Sequence, residues 1–98
     1  MISTTITVPN KAGLHARAAA KLVATAAAFQ SRIQLGTGDR MVDAKSILSL
    51  MLLAAPLGSE LNLVLDGTDE QAALQAIQSL LAQRFGEEEP VNSRSRST

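Results

Sequence analysis

The sequence predicts an α+β protein, an open-faced sandwich in which a four-stranded antiparallel sheet carries three helices on one face, in the order β-α-β-β-α-β-α. Three observations lead there. Apolar residues alternate with polar ones in several short runs, the mark of strands with one face inward. Between these runs lie segments with helical spacing of apolar residues. Each helical segment has a single apolar stripe, so packing all three on one face of a sheet buries every stripe at once.

The elements follow in order. Ile2, Thr4, Ile6 and Val8 alternate with Ser3, Thr5 and Thr7, predicting a first strand that Pro9 and Asn10 end. Alanine density predicts a helix over about 16–29, with Leu22, Ala26 and Phe29 on one face. Ile33 and Leu35, the turn residues Gly36-Thr-Gly-Asp39, and then Met41-Val42 predict a hairpin. The Ser46 hydroxyl can cap a short second helix over Ile47-Leu-Ser-Leu-Met-Leu-Leu53, which Pro56 and Gly58 are expected to stop. Leu61, Leu63 and Leu65 form the last strand, closed by Asp66-Gly67. Thr68-Asp-Glu-Gln71 resembles a capping box for a third helix with Leu74, Ile77 and Leu81 on its apolar face. Arg84 then falls in its last turn and Gly86 just beyond.

The chain has 98 residues, enough for one modest core, and the domain is expected to span 1–86. Residues 87–98 hold Glu87-Glu-Glu-Pro90 and Ser93-Arg-Ser-Arg-Ser-Thr98 with no apolar period, so a disordered tail is expected, with Arg94 and Arg96 inert. Nine lysines and arginines balance nine aspartates and glutamates, so no overall field draws the protein to nucleic acid or to an anionic membrane. Only two aromatic residues, Phe29 and Phe85, leave no stacking platform for bases. There is no cysteine, which excludes disulfides and thiolate metal sites and suits a reducing compartment. No signal-like opening or membrane-length apolar run is present, and the expectation is a cytoplasmic protein without membrane insertion.

Chemistry concentrates in Asn10-Lys-Ala-Gly-Leu-His-Ala-Arg17, which holds the only histidine, at the point where a glycine-containing stretch enters the first helix. Unpaired N–H groups at a helix start, with Arg17 adjacent, would stabilise a dianionic group attached to the His15 imidazole. Phosphoryl transfer needs positioning and charge stabilisation, which the backbone N–H groups of Ala16 and Arg17 and the Arg17 guanidinium could supply. Histidine is also the side chain whose ordinary titration lies near neutral pH.

Gly13-Leu-His-Ala-Arg17, the alanine-rich helix, Asp43-Ala-Lys-Ser-Ile-Leu48 and Asp66-Gly-Thr-Asp-Glu70 together resemble HPr, the histidine-containing phosphocarrier of the bacterial phosphoenolpyruvate-dependent phosphotransferase system. The likeness runs in order from about residue 2 to 85. It implies that enzyme I phosphorylates His15 on Nδ1 and that the group passes on to a histidine of an enzyme IIA protein. It also implies that Ser46 is the regulatory target of an HPr kinase/phosphorylase, and that Ile47, Leu48 and Met51 form a landing surface for these partners beside His15. Ala18 stands where the family often has proline, and Ala12 where many members have asparagine; Asn10 is the side chain at hand to replace the latter. The Ala18 variant and the ending Arg84-Phe-Gly-Glu87 resemble proteobacterial members whose phosphotransferase systems are often regulatory rather than sugar-transporting.

The leading expectation is therefore a monomeric phosphoryl carrier without cofactor or metal, a protein substrate rather than an independent catalyst. A regulatory module whose main output is Ser46-dependent binding is the alternative. An enzyme in its own right is disfavoured, since the chain has no second histidine, no thiol, no Gly-Lys-Ser/Thr phosphate loop and no clustered metal ligands.

Overall fold

The structure, a computed structural model, describes residues 1–86; the tail expected over 87–98 lies outside them. Strands β1 (Ile2–Thr7), β2 (Arg32–Thr37), β3 (Arg40–Asp43) and β4 (Glu60–Asp66) form one antiparallel sheet in the order β1-β4-β2-β3. Helices α1 (Ala16–Ala27), α2 (Ile47–Leu53) and α3 (Glu70–Ala82) cover one face, and a short 3₁₀ turn, Arg84–Gly86, closes the domain. This is the open-faced sandwich that the alternation and the single-stripe helices predict.

Register explains the core. Ile6 pairs with Leu61, Leu35 with Leu63 and Ile33 with Leu65, so a two-residue period puts all six side chains on the helix side. All are buried, together with Leu22, Ala26, Leu50, Ala73 and Ile77 from the three helices. Each such leucine or isoleucine contributes about 1.5–3 kcal/mol through burial. On the opposite face Ser3, Thr5 and Asn62 remain open to solvent.

Ala18 and Ala19 are fully buried in α1, so alanine here does more than favour helix: it lets α1 approach its neighbours closely. Arg40 donates from Nη2 to the Leu52 carbonyl (3.1 Å), and Lys45 donates from Nζ to the Phe29 carbonyl (2.7 Å). Both cations thus satisfy carbonyls at helix C-terminal ends.

Helix α2 keeps its expected span, and four details at element ends differ from the sequence reading. Gly36 and Thr37 are strand residues paired with Met41 and Arg40, which leaves Gly38 and Asp39 alone as the turn. Helix α2 ends before proline is reached, because Ala54 adopts a left-handed conformation (φ 51°) and closes a bond to the Leu50 carbonyl. Phe29 lies beyond the end of α1 but still packs on the core. The Thr68 capping box does not form: the cap position of α3 is Asp69, whose carboxylate turns away to β2, while Glu70 Oε1 accepts from the Gly67 N–H (3.0 Å).

Candidate functional site

His15 is the N-cap of α1, with extended backbone (φ −86°, ψ −174°). Its Nδ1 accepts a hydrogen bond from the Arg17 N–H at 3.2 Å. This geometry turns the face of Nδ1 that carries a lone pair in neutral imidazole toward the helix. Nδ1 therefore points at the start of a helix, where helix geometry gives the N–H groups of Ala16, Arg17 and Ala18 no intrahelical acceptor. The ring itself is half-buried and the Arg17 side chain exposed, so both are accessible from solvent.

The loop before the helix holds His15 in place. Gly13 has φ +71°, and a Cβ there would lie 2.6 Å from the Ala55 carbonyl oxygen and 2.9 Å from Pro56 Cα. Only glycine accommodates both the backbone conformation and the approach. The Leu14 N–H donates to the Ala55 carbonyl (2.8 Å), and the buried Leu14 side chain fixes the segment to the core. The buried Asn10 donates from Nδ2 to the Gly13 carbonyl (2.8 Å), so this side chain does provide polar support for the loop. Exposed Ala12 provides none.

Beside His15 opens a shallow, largely apolar depression of about 320 Å³, whose walls include Ala12, Leu14, Ala16, Met51 and Pro56. Met51 is thus brought to His15 across the fold. Ile47 and Leu48 are exposed on the same helix but do not line the depression. Sequence reasoning missed Ala55 and Pro56, which hold the loop, because their proximity is tertiary. It also missed Leu52 and Leu57, 63% and 54% exposed, as further apolar side chains open to solvent. A signal for Leu52 was present: a seven-residue helix with six apolar residues cannot turn all of them inward.

Ser46 caps α2, its Oγ accepting from the Ser49 N–H at 3.3 Å. Lys45 beside it reaches Phe29 past the end of α1, while Met51 lies near the start of α1. Helices α1 and α2 therefore run antiparallel, and His15 and Ser46 sit at opposite ends of the pair. Among the described residues no group of three or more potential metal-ligating side chains forms. Nor is any described helix long and apolar enough to cross a membrane.

A small α+β sandwich that presents one imidazole at a helix start, beside a shallow apolar depression, defines the class of fold and site. Comparison with known proteins narrows the class. The family described as PTS-HPr, the PTS HPr component phosphorylation site, matches residues 2–83. The phosphocarrier protein HPr of Cupriavidus necator is 49% identical over 89 residues, 91% of this chain and 100% of that protein. That of Xylella fastidiosa is 50% identical over 88 residues, 90% of this chain and 99% of its own length. The crystal structure of HPr-C-His from Thermoanaerobacter tengcongensis superposes with a TM-score of 0.85 at 42% identity, covering 91% of this chain and 100% of that one. The chain belongs to the HPr family of the phosphotransferase system.

Proposed function

We propose that this chain is a cytoplasmic phosphoryl carrier whose acceptor is His15 Nδ1. The observation that carries the reading is the N-cap geometry, with the Nδ1 lone pair held toward the first N–H groups of α1. Enzyme I, charged from phosphoenolpyruvate, docks on the surface formed by Met51, Ile47 and Leu48. The His15 lone pair attacks the phosphorus, the bond from phosphorus to its donor atom on enzyme I breaks, and that atom leaves with the electron pair. Nε2 keeps its proton throughout. Once the group is attached, its oxygens replace Nδ1 as acceptors of the Arg17 N–H and take up the Ala16 N–H, and the exposed Arg17 guanidinium neutralises further charge. Transfer to a histidine of an enzyme IIA protein is the same step in reverse, with His15 as leaving group. The chain supplies position and charge, and the partners complete the catalytic site; it is a substrate rather than an independent catalyst.

Ser46 is the regulatory site in this reading. An HPr kinase/phosphorylase would move the γ-phosphoryl group of ATP to Oγ, with loss of the hydroxyl proton. The ester retains oxygen acceptors for the Ser49 N–H, so α2 persists while negative charge appears next to Ile47 and Leu48. The half-buried but reachable Ser46 also favours a second reading, a module whose output is Ser46-dependent binding. Partner binding retained by His15→Ala and lost in Ser46→Asp would support that alternative.

Intact mass after incubation with enzyme I and phosphoenolpyruvate tests the carrier directly. One added phosphoryl group, removed by mild acid and absent from His15→Ala, is expected. An unmodified mass with active enzyme I, or a modified His15→Ala, would overturn the reading.

A further inference from the structure

Helix α2 stops at Leu53, where Ala54 turns left-handed, and the inner face of the sheet runs on past it. Alternation places Thr37 on the helix side of β2, two residues beyond Leu35, and its register partner Arg40 stands on the same side. Both positions are polar and exposed, whereas the inward positions before them, Ile33 and Leu35, are apolar and buried. Thr37, Arg40, Leu53, Ser59 and Leu61 line a depression of about 230 Å³ there, the volume of about seven waters. The side chains that face it supply two hydroxyls, one guanidinium and otherwise only apolar surface.

The guanidinium is positioned but not neutralised. Arg40 Nη2 donates to the Leu52 carbonyl at 3.1 Å, which fixes the side chain and leaves most of its N–H groups for another acceptor. Among the described residues no carboxylate forms an ion pair with Arg40, its neighbour Asp39 included. One wall of the depression is the segment 54–56, and the same segment lines the depression beside His15. The Ala55 carbonyl accepts the Leu14 N–H at 2.8 Å, so this shared wall also holds the His15 loop.

We propose that this depression is a second binding site, for a small organic carboxylate with a short apolar body. The planar fork of Arg40 meets the carboxylate through parallel N–H bonds, the hydroxyls of Thr37 and Ser59 give it polar neighbours, and the apolar body covers Leu53 and Leu61. A single cation in so small a space suits a monoanion better than a phosphate dianion. The site is shallow and its ligand small, so affinity lies in the millimolar range. A ligand seated there touches the shared wall from the side away from His15, and the bond from Leu14 to Ala55 carries the change to the His15 loop. The site itself stands whether or not His15 is a phosphoryl acceptor.

Isovalerate, titrated at neutral pH and constant ionic strength into the 15N-labelled full chain, tests the site. Saturable shifts are expected at the amides of Thr37, Arg40, Ala54, Ala55 and Ser59, and at Leu14 through its bond to Ala55. Arg40→Gln, which keeps an N–H donor for the Leu52 carbonyl, should weaken binding about tenfold. Thr37→Val, of the same shape, should weaken it roughly threefold and keeps the test open if Arg40→Gln loosens the end of α2. Arg32→Gln removes the same charge at the far end of β2 and should leave binding unchanged. Equal weakening by Arg32→Gln and Arg40→Gln would reveal general electrostatic attraction and overturn the site. Binding indifferent to both Arg40→Gln and Thr37→Val, or shifts that climb without saturating, would overturn it as well. So would saturation at the same concentration by isovaleramide, which lacks the charge, or by inorganic phosphate, which lacks the apolar body. A Leu14 amide that stays still while the others saturate would overturn the link to the His15 loop and leave the site.

Discussion

At the start of α1 the cap side chain turns back on its own helix; at the start of α3 it turns away. His15 Nδ1 takes the Arg17 N–H of α1, two residues on, and the ring stays reachable from solvent. Asp69, at the cap position of α3, instead accepts from the N–H groups of Gln30 (2.8 Å) and Ser31 (2.9 Å) and from the Ser31 hydroxyl, tying α3 to the segment between α1 and β2. The difference is one of commitment. A local bond two residues away can be exchanged for bonds to a phosphoryl group without disturbing the sheet. A carboxylate accepting three bonds from residues nearly forty positions away in sequence cannot be released without loosening the junction of α1, β2 and α3.

Breaking the placement of the first region should have the largest effect. Gly13→Val forces a β-branched side chain into a left-handed position against the Ala55 carbonyl and Pro56, at a cost of about 3 kcal/mol or more. Urea denaturation should show that loss, and enzyme I should phosphorylate the folded fraction poorly. Wild-type stability would show that the loop tolerates what the geometry forbids.

Arg17→Glu sharpens the contrast, because Arg17 is exposed and its backbone N–H, which donates to His15 Nδ1, survives the substitution. The melting temperature should stay near wild type while phosphoryl transfer slows by roughly ten- to a hundredfold. Normal transfer kinetics would remove the guanidinium from the mechanism.

Asp69→Asn tests the second region through pH. The Ser31 hydroxyl above all, then the Gln30 and Ser31 N–H groups, lower the Asp69 carboxyl below its ordinary value of 3.8. A folded-state value below the unfolded one means stabilisation that is fully present above that ordinary value and lost as pH falls through the lowered one. Wild type should therefore melt higher than Asp69→Asn at neutral pH, and the gap should close only in acid below that range. A gap independent of pH would mean that the carboxylate charge contributes nothing. Transfer at neutral pH should change far less than in Arg17→Glu.

The two regions also differ in how far the sequence reveals them. His15 before an alanine-rich helix, and Ser46 before an apolar one, are local signals read over a few residues, and both caps form where the spacing places them. Strand alternation likewise yields the inward faces of β1, β2 and β4. Asp69 reads locally as part of a capping box on Thr68, but its partners lie 38 and 39 residues away, and tertiary hydrogen bonds override the local option. Phe85 likewise is buried only because the chain turns back onto α1, whereas Ala54 ends α2 ahead of Pro56 by a local left-handed turn that an alanine does not advertise. At the site, Gly13 is conspicuous in sequence, but the Ala55 carbonyl that makes it necessary is more than forty residues further along.

The central claim concerns one nitrogen atom, and long-range proton–nitrogen NMR of the 15N-labelled chain, phosphorylated by enzyme I, addresses it directly. The account predicts phosphorus bonded to His15 Nδ1, a proton on Nε2, and large shifts of the Ala16 and Arg17 amides as their N–H groups turn to the phosphoryl oxygens. Phosphorus on Nε2, or amides at the start of α1 that do not move, would contradict it.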